Sequence, residues 1–327
     1  MSQDHEVDLL IIGAGPVGLF AAYYSGFRGL SVAVVDSLPE LGGQITAMYP
    51  EKDILDVAGF PVVQGKALVN GLVEQAATAD PTYLLGRTAH TLASDDEAGQ
   101  VRVGLDDGTT VTAKSVIITA GIGKFAPRPL PAAEEWTGDE VAFFVPSFAP
   151  YAGKDVVIVG GGDSAFDWAL ALEPVASSVT MVHRRDAFRA HQATVDKVLA
   201  STVQVRTNAN VSRLVGEHGL EAVEVEDVKS KETTTLPAQA VVAALGFIAD
   251  LGPIQSWGLE VQKRHIVVDS ATRTNLPRVF AAGDITEYPG KVRLIAVGFG
   301  EAATAVNNAA VAINPGAHLF PGHSSEG

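Results

Sequence analysis

Two glycine-rich turns carry the most specific chemistry in the chain. Gly13-Ala14-Gly15-Pro16-Val17-Gly18 comes after the apolar run VDLLII, and Gly160-Gly161-Gly162-Asp163-Ser164-Ala165 after DVVIV. A turn without Cβ atoms lets main-chain amides close on a pyrophosphate, and a helix starting at the turn adds partial positive charge. Each turn therefore reads as a dinucleotide phosphate cradle, with Gly13, Gly15, Pro16 and Gly18 in the first and Gly160, Gly162, Asp163 and Ser164 in the second. The strands beyond the two turns end differently. The strand SVAVVD ends on Asp36, 18 residues beyond Gly18, where a carboxylate can accept hydrogen bonds from a ribose diol. The strand SVTMV instead ends on His183-Arg184-Arg185-Asp186-Ala187-Phe188-Arg189. A carboxylate there would repel a 2′-phosphate, whereas guanidinium forks pair with it. Two charge-assisted hydrogen bonds of roughly 1.5–3 kcal/mol each favour the phosphorylated nucleotide by on the order of a hundredfold or more. His183, Arg184, Arg185 and Arg189 thus mark a site for NADP(H), and FAD is the natural candidate for the first site.

These residues need strand, turn, helix and strand in succession. The first unit has its helix running to about Ser25, and the second begins about 147 residues downstream. Such repeated βαβ units imply an α/β protein with two nucleotide-binding domains. Residues 7–24 are nearly uncharged and close to membrane-spanning length, but they contain Asp8 and three glycines. A buried strand, a turn and a buried helix account for them. The preceding MSQDHEVD lacks the cationic start of a signal peptide, so a soluble, cytoplasmic protein is expected.

Composition removes other classes. Among 327 residues, 38 are acidic and 23 basic, a net charge of −15 that argues against nucleic acid and anionic membranes as partners. Hydrophobic residues make up 47 %, enough for a packed core. There is no cysteine, which excludes disulfides, thiolate nucleophiles and dithiol redox chemistry. No GxSxG nucleophile motif and no HExxH occur, and no metal site is expected. Hydride transfer between cofactors requires no acid–base residue, and none is assigned.

In motif order, the chain resembles the two-dinucleotide-binding flavoprotein superfamily that includes thioredoxin reductases. Thr119-Ala120-Gly121 resembles its crossover motif, and the run Thr274 to Asp284, ending Ala282-Gly283-Asp284, is similar to its late FAD-binding motif. The resemblance implies two Rossmann-like domains of three-layer ββα type, the NADP domain inserted into the FAD domain. The FAD domain would comprise 1–121 and 248–327 and the NADPH domain 122–247. GIGKFAPRP and ALGFIADLGP would be inter-domain strands and hinges. Where thioredoxin reductases carry Cys-x-x-Cys, this chain has Phe143-Phe144-Val145-Pro146. Leu41-Gly42-Gly43-Gln44, Tyr49-Pro50 and the tail NPGAHLFPGHSSEG look like the cysteine-free branch, the thioredoxin-reductase-like ferredoxin–NADP(+) reductases.

From that branch, Tyr49 and His323 would stack on the two flavin faces. The FAD contacts would be Asp36, Gln44, Tyr49, Ala89, Phe125, Gly283, Asp284 and Ser325, with Ala89 acting through its main chain. The implied enzyme exchanges a hydride between NADPH and FAD and single electrons with ferredoxin or flavodoxin, as a homodimer. Two alternatives stay open: an NADPH-dependent flavin oxidoreductase with a quinone or free-flavin acceptor, and a flavin- and nucleotide-binding sensor without turnover. Most ferredoxins are acidic, so the −15 charge gives no global steering and docking needs a local basic patch. Lys52, Lys66, Lys124, Arg128, Lys291 and Arg293 are its candidates.

Overall fold

The computed structural model describes residues 4–320 and 322, with the main chain alone at 124, 125 and 249. The chain divides into two compact units, one of 1–124 with 249–327 and one of 125–248. Both crossings fall in short strands, Lys124–Pro127 and Phe247–Asp250. The boundaries expected from the motifs are 121/122 and 247/248.

Unit 1 is organised by the strand His5–Ile12. Its apolar run is continuous because both faces are covered, as parallel strands require. Leu9 and Ile11 pack with the helices α1 (Pro16–Gly26), α3 (Gly65–Ala77) and α6 (Ile295–Ile313). The alternate residues Leu10 and Ile12 pack on the opposite face with Val101, Val103, Ile254 and Trp257. The sheet runs Thr82–Leu85, Val32–Asp36, His5–Ile12 and Thr110–Ile118 in parallel, then turns antiparallel through Gln100–Leu105 and Ala89–Asp95. The nine-residue strand Thr110–Ile118 serves two neighbours along one edge. Its first part pairs with Val101–Gly104, and its last three residues pair in parallel with Val279–Ala281. This delivers Gly283 and Asp284 to the C-terminal end of the parallel strands, the end at which the first glycine turn leaves the sheet. The short helix α2 (Gln44–Met48) comes after the second strand.

Unit 2 repeats the plan. Five parallel strands lie in the order Val141–Ala142, Ala240–Ala243, Asp155–Val159, Ser178–Val182, Gln204–Arg206. The helix α4 (Asp163–Leu172) buries Ala165, Phe166, Ala169 and Leu172, and α5 (Gln192–Leu199) buries Val195 and Val198. A three-stranded antiparallel sheet, Ala209–Val215, Ala222–Asp227 and Thr233–Pro237, supplies Val211, Leu214, Val223 and Val225 to a core shared with Val157 and Val159. Each unit is thus a helix layer, a parallel sheet and a β layer, the expected ββα type.

Candidate functional site

In unit 1 the glycine turn is shaped by what it cannot accommodate. Gly13 has φ +116°, and a Cβ there would lie 2.5 Å from the Thr119 carbonyl oxygen. A Cβ on Gly18 would overlap the Gly13 carbonyl, so helix and strand meet backbone to backbone. At Gly15, the residue capping α1 ahead of Pro16, a Cβ would meet nothing within 4 Å. The turn is therefore closed at Gly13 and Gly18 and open at Gly15, the opening a pyrophosphate needs. Thr119 braces it: its hydroxyl donates to the Gly13 carbonyl at 2.8 Å and to Ile12 at 3.2 Å.

A second glycine turn lies directly on the first. The Gly42 amide donates to Ala14 O at 2.9 Å, and a Cβ on Gly43, at φ +58°, would stand 2.9 Å from the Gly15 Cα. Gln44 starts α2, and a Cβ on Gly121 would stand 3.1 Å from its Nε2. Asp36 closes the group. Its Oδ2 accepts from the Ala14 amide at 2.6 Å and its Oδ1 from Leu38 at 2.8 Å. Burial pushes this carboxyl above the usual range, while the Leu38 and Ala14 amides pull it down. Each oxygen keeps further acceptor capacity beyond the amide it already accepts from.

Asp284 reaches the same end of the sheet, three residues beyond the strand Val279–Ala281. Gly283, before it, is gripped on both main-chain groups: its amide donates to Glu301 Oε2 at 2.7 Å, and its carbonyl accepts from Lys291 Nζ at 2.9 Å and Thr286 Oγ1 at 2.8 Å. Lys291 and Glu301 pair at 2.5 Å, and the Tyr288 hydroxyl also donates to Glu301. The Asp284 carboxylate has no hydrogen-bond partner among the described residues. Burial raises its pKa, opposed first by Lys291 and then by Arg293. Tyr49, capping the end of α2, feels Asp284: burial first, then the Asp284 and Asp56 carboxylates, push its phenol up to about 12. The structure thus brings Gly13, Gly15, Gly18, Asp36 and Gln44 together, and sets Tyr49 by Asp284. Ala89 sits apart, its side chain in the core on the β-layer face. His323 and Ser325 lie outside the described residues, as does the Phe125 side chain.

Lys291 corrects the expectation of a docking cation, because its side chain is 1 % exposed and its ammonium is consumed inside the fold. Arg293 is half-exposed and paired with Glu287 at 2.5 Å. Lys52 lies over the Tyr49 ring, 5.6 Å from its centroid. The Lys124 side chain is outside the description, and Lys66 and Arg128 are exposed or partly so.

In unit 2, Gly162 caps α4 and a Cβ there would meet nothing within 4 Å, an opening like that at Gly15. A Cβ on Gly160 would stand 2.5 Å from the Ala244 carbonyl, and one on Gly161 would overlap the His183 ring. Asp163 and Ser164 stand in the first turn of α4, reached by solvent. The Arg189 amide donates to Gly161 O at 2.8 Å, folding the basic loop onto the turn. Arg184, Arg185 and Arg189 lie at the surface, and none has a side-chain partner among the described residues. All three act on His183, whose pKa is lowered first by burial and then by their charge, against the Ala187 carbonyl that accepts from Nε2 at 3.2 Å. Three such guanidiniums beside the glycine turn form a local cationic patch in a chain of net charge −15, of the kind that pairs with phosphate oxygens.

Where a dithiol would be needed, Val145 is fully buried and Phe144 stacks on Phe247, centroids 5.2 Å apart and rings 2° from parallel. The described residues contain no cluster fit to hold a metal and no helix long and apolar enough to cross a membrane.

Two ββα units, one ending its glycine-turn strand in a carboxylate and the other in arginines, define an oxidoreductase built to hold two different dinucleotides. The family model for pyridine nucleotide-disulphide oxidoreductases matches residues 7–313, and the chain belongs to that family. It is 75 % identical to a ferredoxin–NADP reductase of Nocardioides sp. over 98 % of both chains. It is 63 % identical to one of Saccharopolyspora erythraea, over 98 % of this chain and 97 % of that one. Among solved structures it is similar to thioredoxin reductase of T. acidophilum, with TM-score 0.80, 26 % identity and coverage of 94 % and 98 % of the two chains. The family's disulphide chemistry is absent here, since the chain has no cysteine.

Proposed function

We propose that the chain is an FAD-dependent ferredoxin–NADP reductase in which unit 1 holds FAD and unit 2 holds NADP(H). When bound, FAD supplies hydride exchange with NADPH and single-electron exchange with ferredoxin. The chain's own residues bind and orient. Main-chain amides of the Gly13–Gly18 turn face the pyrophosphate at the opening beside Gly15, Asp36 accepts from a ribose, and Gln44 offers its amide. Asp284, held by the grip on Gly283, offers its carboxylate to cofactor hydroxyls. Tyr49 supplies the aromatic face against the flavin, and its phenol stays protonated at every working pH. His323 on the opposite face, Ser325, the main chain of Ala89 and Phe125 complete the set by family resemblance.

In unit 2, Gly160, Gly162, Asp163 and Ser164 frame the pyrophosphate site, and His183, Arg184, Arg185 and Arg189 take the 2′-phosphate. The single observation that carries the reading is the arginine group at the surface beside the open turn at Gly162. The absence of a dithiol leaves no relay between flavin and partner, which suits a one-electron carrier. Flavodoxin as a second carrier, a homodimer and a cytoplasmic setting belong to the same proposal, supported by the family resemblance. The test is whether the purified protein carries FAD and whether one equivalent of NADPH, added without oxygen, bleaches its visible absorbance far faster than NADH. An FAD-free protein, or equal rates, contradicts the reading.

A further inference from the structure

Beside the arginine loop of unit 2, Asp163 of the phosphate turn is paired with His191, a residue to which nucleotide binding gives no direct task. Asp163 opens α4, and its Oδ1 accepts two hydrogen bonds from one residue: the His191 amide at 2.8 Å and His191 Nδ1 at 2.7 Å. Facing a carboxylate, which only accepts, Nδ1 carries a proton. An aspartate in the first turn of this helix stands where a phosphate is to bind, and an uncommitted carboxylate there competes for the same amides. The pairing commits Oδ1 to residue 191 instead.

The same contact closes a loop. From the strand end to α5, residues 183–191 are tied to the glycine turn at three places. The His183 ring fills the space over Gly161, the Arg189 amide donates to Gly161 O, and His191 holds Asp163. Phe188 adds an edge-on contact to Phe166 of α4, centroids 4.8 Å apart. Arg184, Arg185 and Arg189 all lie between the first tie and the last. The His191 and Asp163 side chains are 85 % and 51 % exposed, and pairs so exposed add little to folding stability. Pre-shaping a loop that must present three flexible, mutually repelling cations is a task for which such a pair suffices.

We infer that the His191–Asp163 pair is a positioning device for nucleotide specificity: it pins the far end of the arginine loop so that the guanidiniums meet a 2′-phosphate. The inference rests on reading unit 2 as the NADP(H) site. It is tested in the holoenzyme by titrating 2′,5′-ADP and 5′-AMP calorimetrically, alongside the KM for NADPH and NADH, with Arg184→Ala as the reference. His191→Ala is expected to weaken 2′,5′-ADP about tenfold, the alignment of roughly one charge-assisted contact, while 5′-AMP changes less than about twofold. The KM for NADPH rises in step and that for NADH does not. His191→Gln, which keeps a side-chain donor, recovers most of the loss. If Arg184→Ala loses 2′,5′-ADP selectively but His191→Ala weakens both nucleotides equally or neither, the inference is overturned and the NADP(H) reading stands. If Arg184→Ala shows no selectivity either, the reading of unit 2 falls and the inference with it.

Discussion

Lys291 and Glu301 meet at 2.5 Å with side chains 1 % and 8 % exposed, and between them they hold both main-chain groups of Gly283. A lysine that a sequence reading places on the surface is thus an internal strut for the residue preceding Asp284. The arrangement satisfies the requirement that buried charges be paired and hydrogen-bonded: Glu301 accepts from Gly283, Tyr288 and Lys291, and Lys291 donates also to a carbonyl.

Removing one member leaves the other charged and buried. Lys291→Met is expected to destabilise unit 1 by about 3–5 kcal/mol, measured by urea unfolding, and to weaken FAD retention. Lys291→Met combined with Glu301→Gln, which keeps an acceptor for the Gly283 amide, costs less than the sum of the single changes. Additive losses contradict a coupled pair.

Arg184→Ala removes a cation that has no competing partner among the described residues. The KM for NADPH is expected to rise at least about tenfold, with that for NADH changing less than about twofold. Steady-state assays with a chemical electron acceptor measure both. Equal effects place the arginine outside the 2′-phosphate site.

His183 gives a pH signature whose sign is fixed by its environment. Burial, then the three arginines, lower its folded-state pKa below the 6.5 of an ordinary histidine. Between the lowered value and 6.5 the unfolded chain binds more protons, so the contribution of His183 to stability is full above 6.5 and declines as pH falls below it. In an NMR titration its midpoint lies below 6.5. Arg184→Ala moves that midpoint upward without restoring it fully, because burial, the larger cause, remains. A midpoint at or above 6.5 in the parent protein contradicts the geometry of the loop.

With Lys291 internal and Arg293 paired, Lys66 is left as an exposed cation of unit 1, close in sequence to the apolar side chains Leu55, Phe60 and Val62, which are 67 %, 51 % and 49 % exposed. Lys66→Glu is expected to raise the KM for ferredoxin about fivefold at low salt, with the difference fading as ionic strength rises. A salt-independent effect, or none, moves the docking surface elsewhere.

The parts of the fold that a linear reading recovers are those encoded locally. Glycine turns, their flanking apolar strands and the residue ending each second strand are neighbours in sequence, so Asp36 and the arginine run can be placed from spacing alone. The fold's braces are not local. Thr119 reaches Gly13 across 106 residues, and its sequence context marks only a strand end. Gly42 and Gly43 are legible as glycines, but nothing nearby says that they lie on Ala14 and Gly15. Lys291 is deceptive because a lysine near glycine and proline reads as a surface turn. Only its partner, on the next helix, makes it internal. His191 carries no local signal, since its role depends on a fold-back to Asp163, 28 residues earlier.

In the proposed reaction NADPH and the flavin exchange a hydride and the flavin exchanges single electrons with ferredoxin, with no thiol between, since the chain has no cysteine. Anaerobic stopped-flow mixing of the FAD-loaded protein with NADPH, followed by oxidised ferredoxin, tests that route end to end. The expected result is rapid loss of flavin absorbance with NADPH, slow loss with NADH, and recovery as two ferredoxins are reduced, all unaffected by thiol-alkylating reagents. Flavin that NADPH does not reduce, or reduced flavin that ferredoxin does not reoxidise, would refute it.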